Sequence, residues 1–213
     1  MQKRTFITTV FGLAAAFLMA ASAQAQVAGK DYVAISPPQP TENPAKIEVI
    51  EFFSYGCPHC KDFHPLISKW AAKLPPDVVF KRVPISFGRA QWANLGKLYY
   101  TAEAINELGR LDNAAFIALH EKGVKLYDDA TINQFAVQEG VDGKKFAEAY
   151  GSFGVQSKMK RADQLAQGHK VQGVPAIAVD GRYMVLNEGV QGYEELLARA
   201  DKVIGKVRSE KKK

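Results

Sequence analysis

Apolar positions along this chain follow first a strand pattern, then a helical one, then a strand pattern again, and the switches mark its elements. Ile47-Glu48-Val49-Ile50-Glu51-Phe52-Phe53 is apolar without strict alternation, which predicts a strand covered on both faces. From Cys57-Pro58-His59-Cys60 onward, Phe63, Leu66, Ile67, Trp70 and Leu74 recur at helical spacing. That predicts a helix stopped by Pro75-Pro76 and kinked at Pro65. Val78 to Ile85 reads as a second strand, with Pro84 placing it near an edge or ending it. Strand, helix, strand in that order is a βαβ unit with parallel strands.

Between Arg89 and His169 the pattern is helical, broken at Gly109, Gly123, Gly140, Gly151 and Gly168, and predicts four or five helices. Thr131 and Gln134 have capping-box spacing, and Asp112 and Asp142 are candidate caps for two more helices. Strand character returns at Val174 to Val179, followed by Asp180-Gly181 as a hairpin turn and by Arg182 to Leu186. A last amphipathic helix runs from Gly192 to about Val207, with Leu196, Leu197, Ala200, Val203 and Ile204 on one face. Residues 27–44, rich in proline, form an extended lead-in with at most one short edge strand near Tyr32 to Ile35. The order βαβ, helices, ββα predicts an α/β fold with an inserted all-α domain. Residues 26–88 and 170–213 are the two parts of the sheet domain, and residues 89–169 the insertion.

The first residues have the three parts of a secretory signal peptide. Lys3 and Arg4 lead an apolar stretch from Val10 to Ala21, and Ala21-Ser22-Ala23-Gln24-Ala25 offers cleavage after Ala23 or Ala25. The apolar stretch falls short of the ~20 residues of a membrane span. Export places the mature chain in the periplasm or outside the cell, where disulfides form and persist. The formal net charge of +6 includes the two leader cations, and much of the remaining excess lies at Lys206, Arg208, Lys211, Lys212 and Lys213. Cations at a helix C-terminus complement the helix dipole, so this tail reads as a solvated helix end rather than a nucleic-acid surface.

Both cysteines of the 213 residues lie in Cys57-Pro58-His59-Cys60. A bridge across so short a loop removes little entropy from the unfolded chain, so the pair reads as a redox centre rather than a staple. With Cys57 as N-cap, Pro58 takes the first helical position, where its missing N–H costs nothing. The N–H groups of His59 and Cys60 then point at the Cys57 sulfur and stabilise its thiolate. Each unit of pKa lowering favours the thiolate by ~1.4 kcal/mol. The disulfide lacks that benefit, so it becomes more oxidising by ~30 mV for each such increment. His59 tunes further in the same direction. Cys60, one turn in, is the resolving partner. Zinc wants more ligands than the motif and His64 supply, and a haem-attachment motif needs His where Lys61 stands. His64 reads as a surface side chain, and His120 and His169 receive no role.

Cys57-Pro58-His59-Cys60 within Glu51-Phe52-Phe53-Ser54-Tyr55-Gly56, together with the distant Gly173-Val174-Pro175-Ala176, resembles the DsbA family of periplasmic thiol:disulfide interchange proteins over nearly all of the mature chain. The resemblance implies a thioredoxin fold and a monomeric dithiol oxidase that donates its Cys57–Cys60 disulfide to exported proteins with free thiols. It implies no cofactor beyond that disulfide, and reoxidation by an inner-membrane partner of the DsbB type. It also implies a cis Val174–Pro175 bond facing the disulfide, with the Val174 backbone free to pair with an extended substrate.

Glu51 matches the family's buried acid, which assists proton transfer from the inner cysteine. Where relatives often have a lysine near that acid, alignment places Arg82, with Lys81 beside it. An arginine cannot give up its proton, and a one-residue slip would turn the other side chain inward. Gly56 stands where relatives often carry an aromatic residue, which implies a more open rim around the disulfide. Competing readings are a reductase or isomerase on the same fold, a periplasmic metal carrier using the dithiol, and a chaperone using the helical insertion.

Overall fold

The computed structural model describes residues 29–212, so the signal-peptide reading lies outside the described residues. Twelve elements follow one another: β1 Tyr32–Ala34, β2 Ile47–Phe53, α1 Pro58–Ala71, β3 Val78–Pro84, α2 Ala90–Ala104, α3 Leu108–His120, α4 Asp129–Gln138, α5 Gly143–Tyr150, α6 Phe153–Gly168, β4 Ala176–Val179, β5 Tyr183–Val185 and α7 Tyr193–Lys211. The five strands form one mixed sheet in the order β1-β5-β4-β2-β3. The strand β2 pairs parallel with β3 and antiparallel with β4, so it lies inside the sheet between them, and all seven of its residues are buried. The edge position of β3 accommodates Pro84, which has no N–H for a further neighbour.

One face of the sheet packs against α1 and α7 through Val49, Ile177, Phe63, Ile67, Leu196 and Val203. The other face carries Ile50, Phe52 and Ala178 into a larger core built with the helical insertion, including Leu95, Leu98, Phe116 and Phe146. The β4–β5 connection has Asp180 and Gly181 at φ +56° and +64°, the two positive angles of a type I′ turn, which Arg182 N closes onto the Val179 carbonyl at 3.1 Å. Gly181 also meets the lead-in chain: its carbonyl accepts from Gln39 N at 2.8 Å, and a Cβ there would run into the Gln39 carbonyl oxygen. Among the described residues no helix is long and apolar enough to cross a membrane.

Three details differ from the sequence reading. Asp112 lies within α3 rather than capping it, its carboxylate being drawn to Tyr55 and Arg82. The helix α4 is capped by Asp128, whose carboxylate accepts from Thr131 N, so Thr131 is inside the helix and starts no capping box. The helix α1 ends at Ala71, before Leu74, and continues unbroken through Pro65. Asp142 does cap α5, accepting from Lys145 N at 2.9 Å.

Ile67 of α1 is fully buried in the core shared with α7 and the sheet. Ile67→Ala is expected to cost about 2–5 kcal/mol, the range for emptying such a site. Urea unfolding should show a lower midpoint with an unchanged slope.

Candidate functional site: a dithiol at a helix N-terminus

The turn Ser54-Tyr55-Gly56 carries the chain from β2 into α1, and Cys57 is the residue that caps the helix, with φ −99° and ψ 118°. Its N–H donates to the Ser54 carbonyl at 3.1 Å, and its own carbonyl accepts from Cys60 N and Lys61 N at 3.1 and 3.2 Å. Pro58 opens the helix at a position where its missing N–H is not needed. Both cysteines are free thiols and both are buried, whereas Pro58 and His59 between them are exposed.

The two sulfurs are driven apart in acidity. The Cys57 thiol is lowered from 9.0 to about 6, chiefly because the Cys60 thiol donates to it; burial opposes the shift, and the backbone N–H groups of Cys60 and His59 and the His59 charge add to it. Cys60 is pushed up by burial first, then by its bond to Cys57 and the Cys57 charge, with a further contribution from the Glu51 carboxylate. Of the two thiols, Cys57 is the more readily ionised and Cys60 the one that holds its proton.

The Val174–Pro175 bond is cis. Its loop faces the dithiol, with Cys57 Sγ 3.4 Å from the Val174 carbonyl oxygen. Asn187 fixes the loop from behind, donating through Nδ2 to the Pro175 carbonyl at 3.0 Å. A cleft of about 450 Å³ adjoins the loop, lined also by Val33, Ile35, His169 and Met184. On the α7 side, the Tyr193 hydroxyl donates to the His59 carbonyl at 3.1 Å.

Beneath the dithiol lies a buried ionic network. Glu51 has no exposed surface, and its Oε2 accepts from Arg82 Nε at 2.7 Å. Arg82 Nη1 donates to Asp112 Oδ2 at 2.6 Å, and Asp112 Oδ1 accepts from the Tyr55 hydroxyl at 2.6 Å. The guanidinium also sits 4.0 Å from the centre of the Phe53 ring. Burial raises the Glu51 carboxyl above its ordinary value, opposed by the charge and hydrogen bond of Arg82. Glu51 Oε1 and Arg82 Nη2 are both buried without a partner. Register decides which cation turns inward: Arg82 stands opposite Glu51, while Lys81, one residue earlier, pairs with Glu48 at 2.6 Å and with Glu42.

With this geometry in place, comparison with known proteins is direct. The sequence pattern of the DSBA-like thioredoxin domain matches residues 48–198. The chain belongs to the DsbA-like thioredoxin family. Within that family it is 40% identical to the thiol:disulfide interchange protein DsbA of Pseudomonas aeruginosa over 211 residues, covering 99% of this chain and all of that protein. It is 44% identical to the DsbA of Bordetella parapertussis over 186 residues, 86% of this chain and 88% of that one. The crystal structure of the P. aeruginosa DsbA superposes with a TM-score of 0.83 at 41% identity, over 88% of this chain and 97% of that chain. The DsbA of Xylella fastidiosa gives 0.79 at 32% identity, over 86% and 98%. This DsbA-like chain has the thioredoxin fold and is a thiol:disulfide oxidoreductase.

The fold brings Cys57, Pro58, His59, Cys60, Val174 and Pro175 to one end of the sheet, with Glu51 beneath them. Two expectations about this DsbA-like site are corrected. His64 is not a surface side chain: it is half-buried, its ring centre lies 5.2 Å from that of Phe116, and its Nε2 lies 3.5 Å from Asp112 Oδ2. Nor is the rim open at Gly56, because the Trp92 side chain occupies the space, its Nε1 2.7 Å from where a Cβ would sit. Sequence reasoning passed over Tyr55, Trp92, Asp112, His120 and Asn187. Their positions depend on pairings between residues far apart in the chain, for which a single sequence carries no signal.

Removing the cation from a buried pair leaves its partners unpaired, a loss of about 3–5 kcal/mol. Arg82→Met should lower stability by that amount at neutral pH in urea titrations. The loss should shrink under acid conditions, where the Glu51 carboxyl, raised by burial, takes up a proton and no longer needs the guanidinium.

Proposed function

We propose that this oxidoreductase works as a dithiol oxidase, donating the Cys57–Cys60 disulfide to newly exported proteins in the periplasm. The observation that carries the direction of transfer is the lowered Cys57 thiol beside a raised Cys60. Stabilising the reduced form of one sulfur makes the corresponding disulfide a stronger oxidant. The leader with its Ala23 or Ala25 cleavage site supports the location.

In the reaction, a substrate thiolate attacks the Cys57 sulfur of the oxidised protein. The Cys57–Cys60 bond breaks, Cys60 leaves as a thiolate and takes up a proton, and a mixed disulfide remains on Cys57. A second substrate thiolate then attacks the substrate sulfur of that bond, and Cys57 departs as a stabilised thiolate. The substrate is oxidised by two electrons and the dithiol reduced by two. Glu51, buried beneath Cys60, serves as the proton acceptor and donor for the inner sulfur, while Arg82 holds its carboxylate and exchanges no proton itself. His59 adds its charge at the exposed edge. Val174 and Pro175 receive the extended substrate as an added strand beside Cys57, with the adjoining cleft available to its side chains. The dithiol requires no other cofactor, the chain acts as a monomer, and an inner-membrane partner of the DsbB type reoxidises it.

The test is the redox equilibrium of the Cys57/Cys60 pair against glutathione, read together with thiolate absorbance as a function of pH. A disulfide more oxidising than glutathione and a thiolate midpoint at about 6 are expected. An unfolded Cys57 titrates near 9.0, so the stabilisation of the reduced fold is complete above that pH and lost as pH falls through about 6. A pair more reducing than glutathione would move the assignment to a reductase on the same fold.

A further inference from the structure

The turn that presents Cys57 is held by the helical insertion. Asp112, Phe116 and His120 of α3 recur at four-residue spacing and form one stripe along that helix. Each grips a different part of Tyr55, two residues before Cys57. The Tyr55 hydroxyl donates to Asp112 Oδ1 at 2.6 Å. Its ring meets Phe116 edge to face with centroids 4.9 Å apart, and Phe116 is all but fully buried. Its backbone carbonyl accepts from His120 Nε2 at 2.7 Å. A carbonyl oxygen only accepts, so Nε2 carries the proton in this arrangement. The His120 ring stacks on Phe116, and the residue after it, Glu121, pairs with Lys61 of α1 at 3.0 Å. The same stripe contacts α1 again at His64, through Phe116 and Asp112.

Among the described residues no strand residue donates to the Tyr55 carbonyl. Beyond it the chain turns on two short bonds to Ser54, Gly56 N to Ser54 Oγ at 3.2 Å and Cys57 N to Ser54 O at 3.1 Å. The position of Cys57 Sγ relative to the N–H groups of His59 and Cys60 therefore depends on where Tyr55 is pinned. Thiolate stabilisation by such donors falls off with small displacements, because hydrogen bonds weaken steeply as distance and angle depart from their optimum.

We propose that the Asp112–Phe116–His120 stripe of α3 is a clamp on the active-site turn, and that His120 is a positioning residue for the Cys57 thiolate, acting through the Tyr55 carbonyl. The insertion thereby contributes to the oxidising power of a dithiol that it does not touch with any catalytic group. This rests on Cys57 being the stabilised thiolate of the proposed oxidase.

The experiment compares His120→Ala and His120→Gln with the unaltered protein in thiolate titration, glutathione equilibrium and thermal unfolding. Ile132→Ala, which empties a fully buried site on α4 of the same insertion, serves as the control for lost stability alone. In His120→Ala the Cys57 midpoint is expected to rise, and the glutathione equilibrium to shift toward the disulfide by about three- to tenfold, the worth of one hydrogen bond. His120→Gln, whose amide N–H reaches for the same carbonyl, should recover most of that shift. Ile132→Ala should lower the unfolding temperature and leave both redox readings in place. The clamp is overturned if His120→Ala leaves the midpoint and the equilibrium unchanged, or if Ile132→Ala shifts them as far. An ordinary thiol midpoint in the unaltered protein would instead overturn the oxidase reading on which the clamp rests.

Discussion

A thiolate at the N-terminus of a helix needs hydrogen-bond donors, and the first turn of α1 supplies them. Cys57 caps the helix, Pro58 gives up a donor that the helix could not have used, and the amides of His59 and Cys60 reach the sulfur, that of Cys60 shared with the Cys57 carbonyl. The rest of the site serves this arrangement. The buried strand β2 fixes where α1 begins, and the burial of Cys60 keeps the second sulfur protonated so that it can donate to the first. The cis-proline loop closes the other side at contact distance. Acidity and exposure are thus divided between two chemically identical side chains by position alone.

The same burial that separates the two thiols creates a problem beneath them. Glu51 lies in the sheet with no exposed surface, and an isolated carboxylate there would be prohibitively costly. Arg82, opposite it on β3, meets that cost by ion pairing and passes the remainder to Asp112 of the insertion. Arg82 keeps its charge, while burial raises the Glu51 carboxyl above its ordinary value against the opposing pull of that charge. One cation consequently ties the sheet, the redox centre and the helical insertion together.

The insertion is also more than a cover for the sheet. The helix α3 reaches the active-site turn with three successive residues of one stripe, and Trp92 of α2 fills the space beside Gly56. The lack of a side chain at Gly56, next to the motif, leaves no gap, since the Trp92 side chain from another part of the chain occupies the space. This compensation is a packing event of the folded state, and close packing of the interior is what enforces it.

Local physics made much of this protein legible in its sequence. The buried strand, the helix opening at Cys57-Pro58, the Asp180-Gly181 turn and the amphipathic α7 all rest on periodicity and turn chemistry within a few residues, and each is present, α7 running on past the expected Val207 to Lys211. The redox pair was equally plain, because both cysteines fall in one motif at one strand-to-helix junction. Asp112 shows where such reading ends: a helix cap by local pattern, it is instead the hydrogen-bond acceptor of Tyr55, 57 residues away. His64 and Gly56 were likewise misjudged, because Phe116 and Trp92 approach them from the insertion. Register chose Arg82 over Lys81 for the interior, and a shift of one residue would have reversed it. The sequence by itself determined the elements, the dithiol and its helix-capping position, since these depend on neighbours along the chain. Only the tertiary structure decided what surrounds the dithiol, because burial and long-range pairing exist only once the chain has closed on itself.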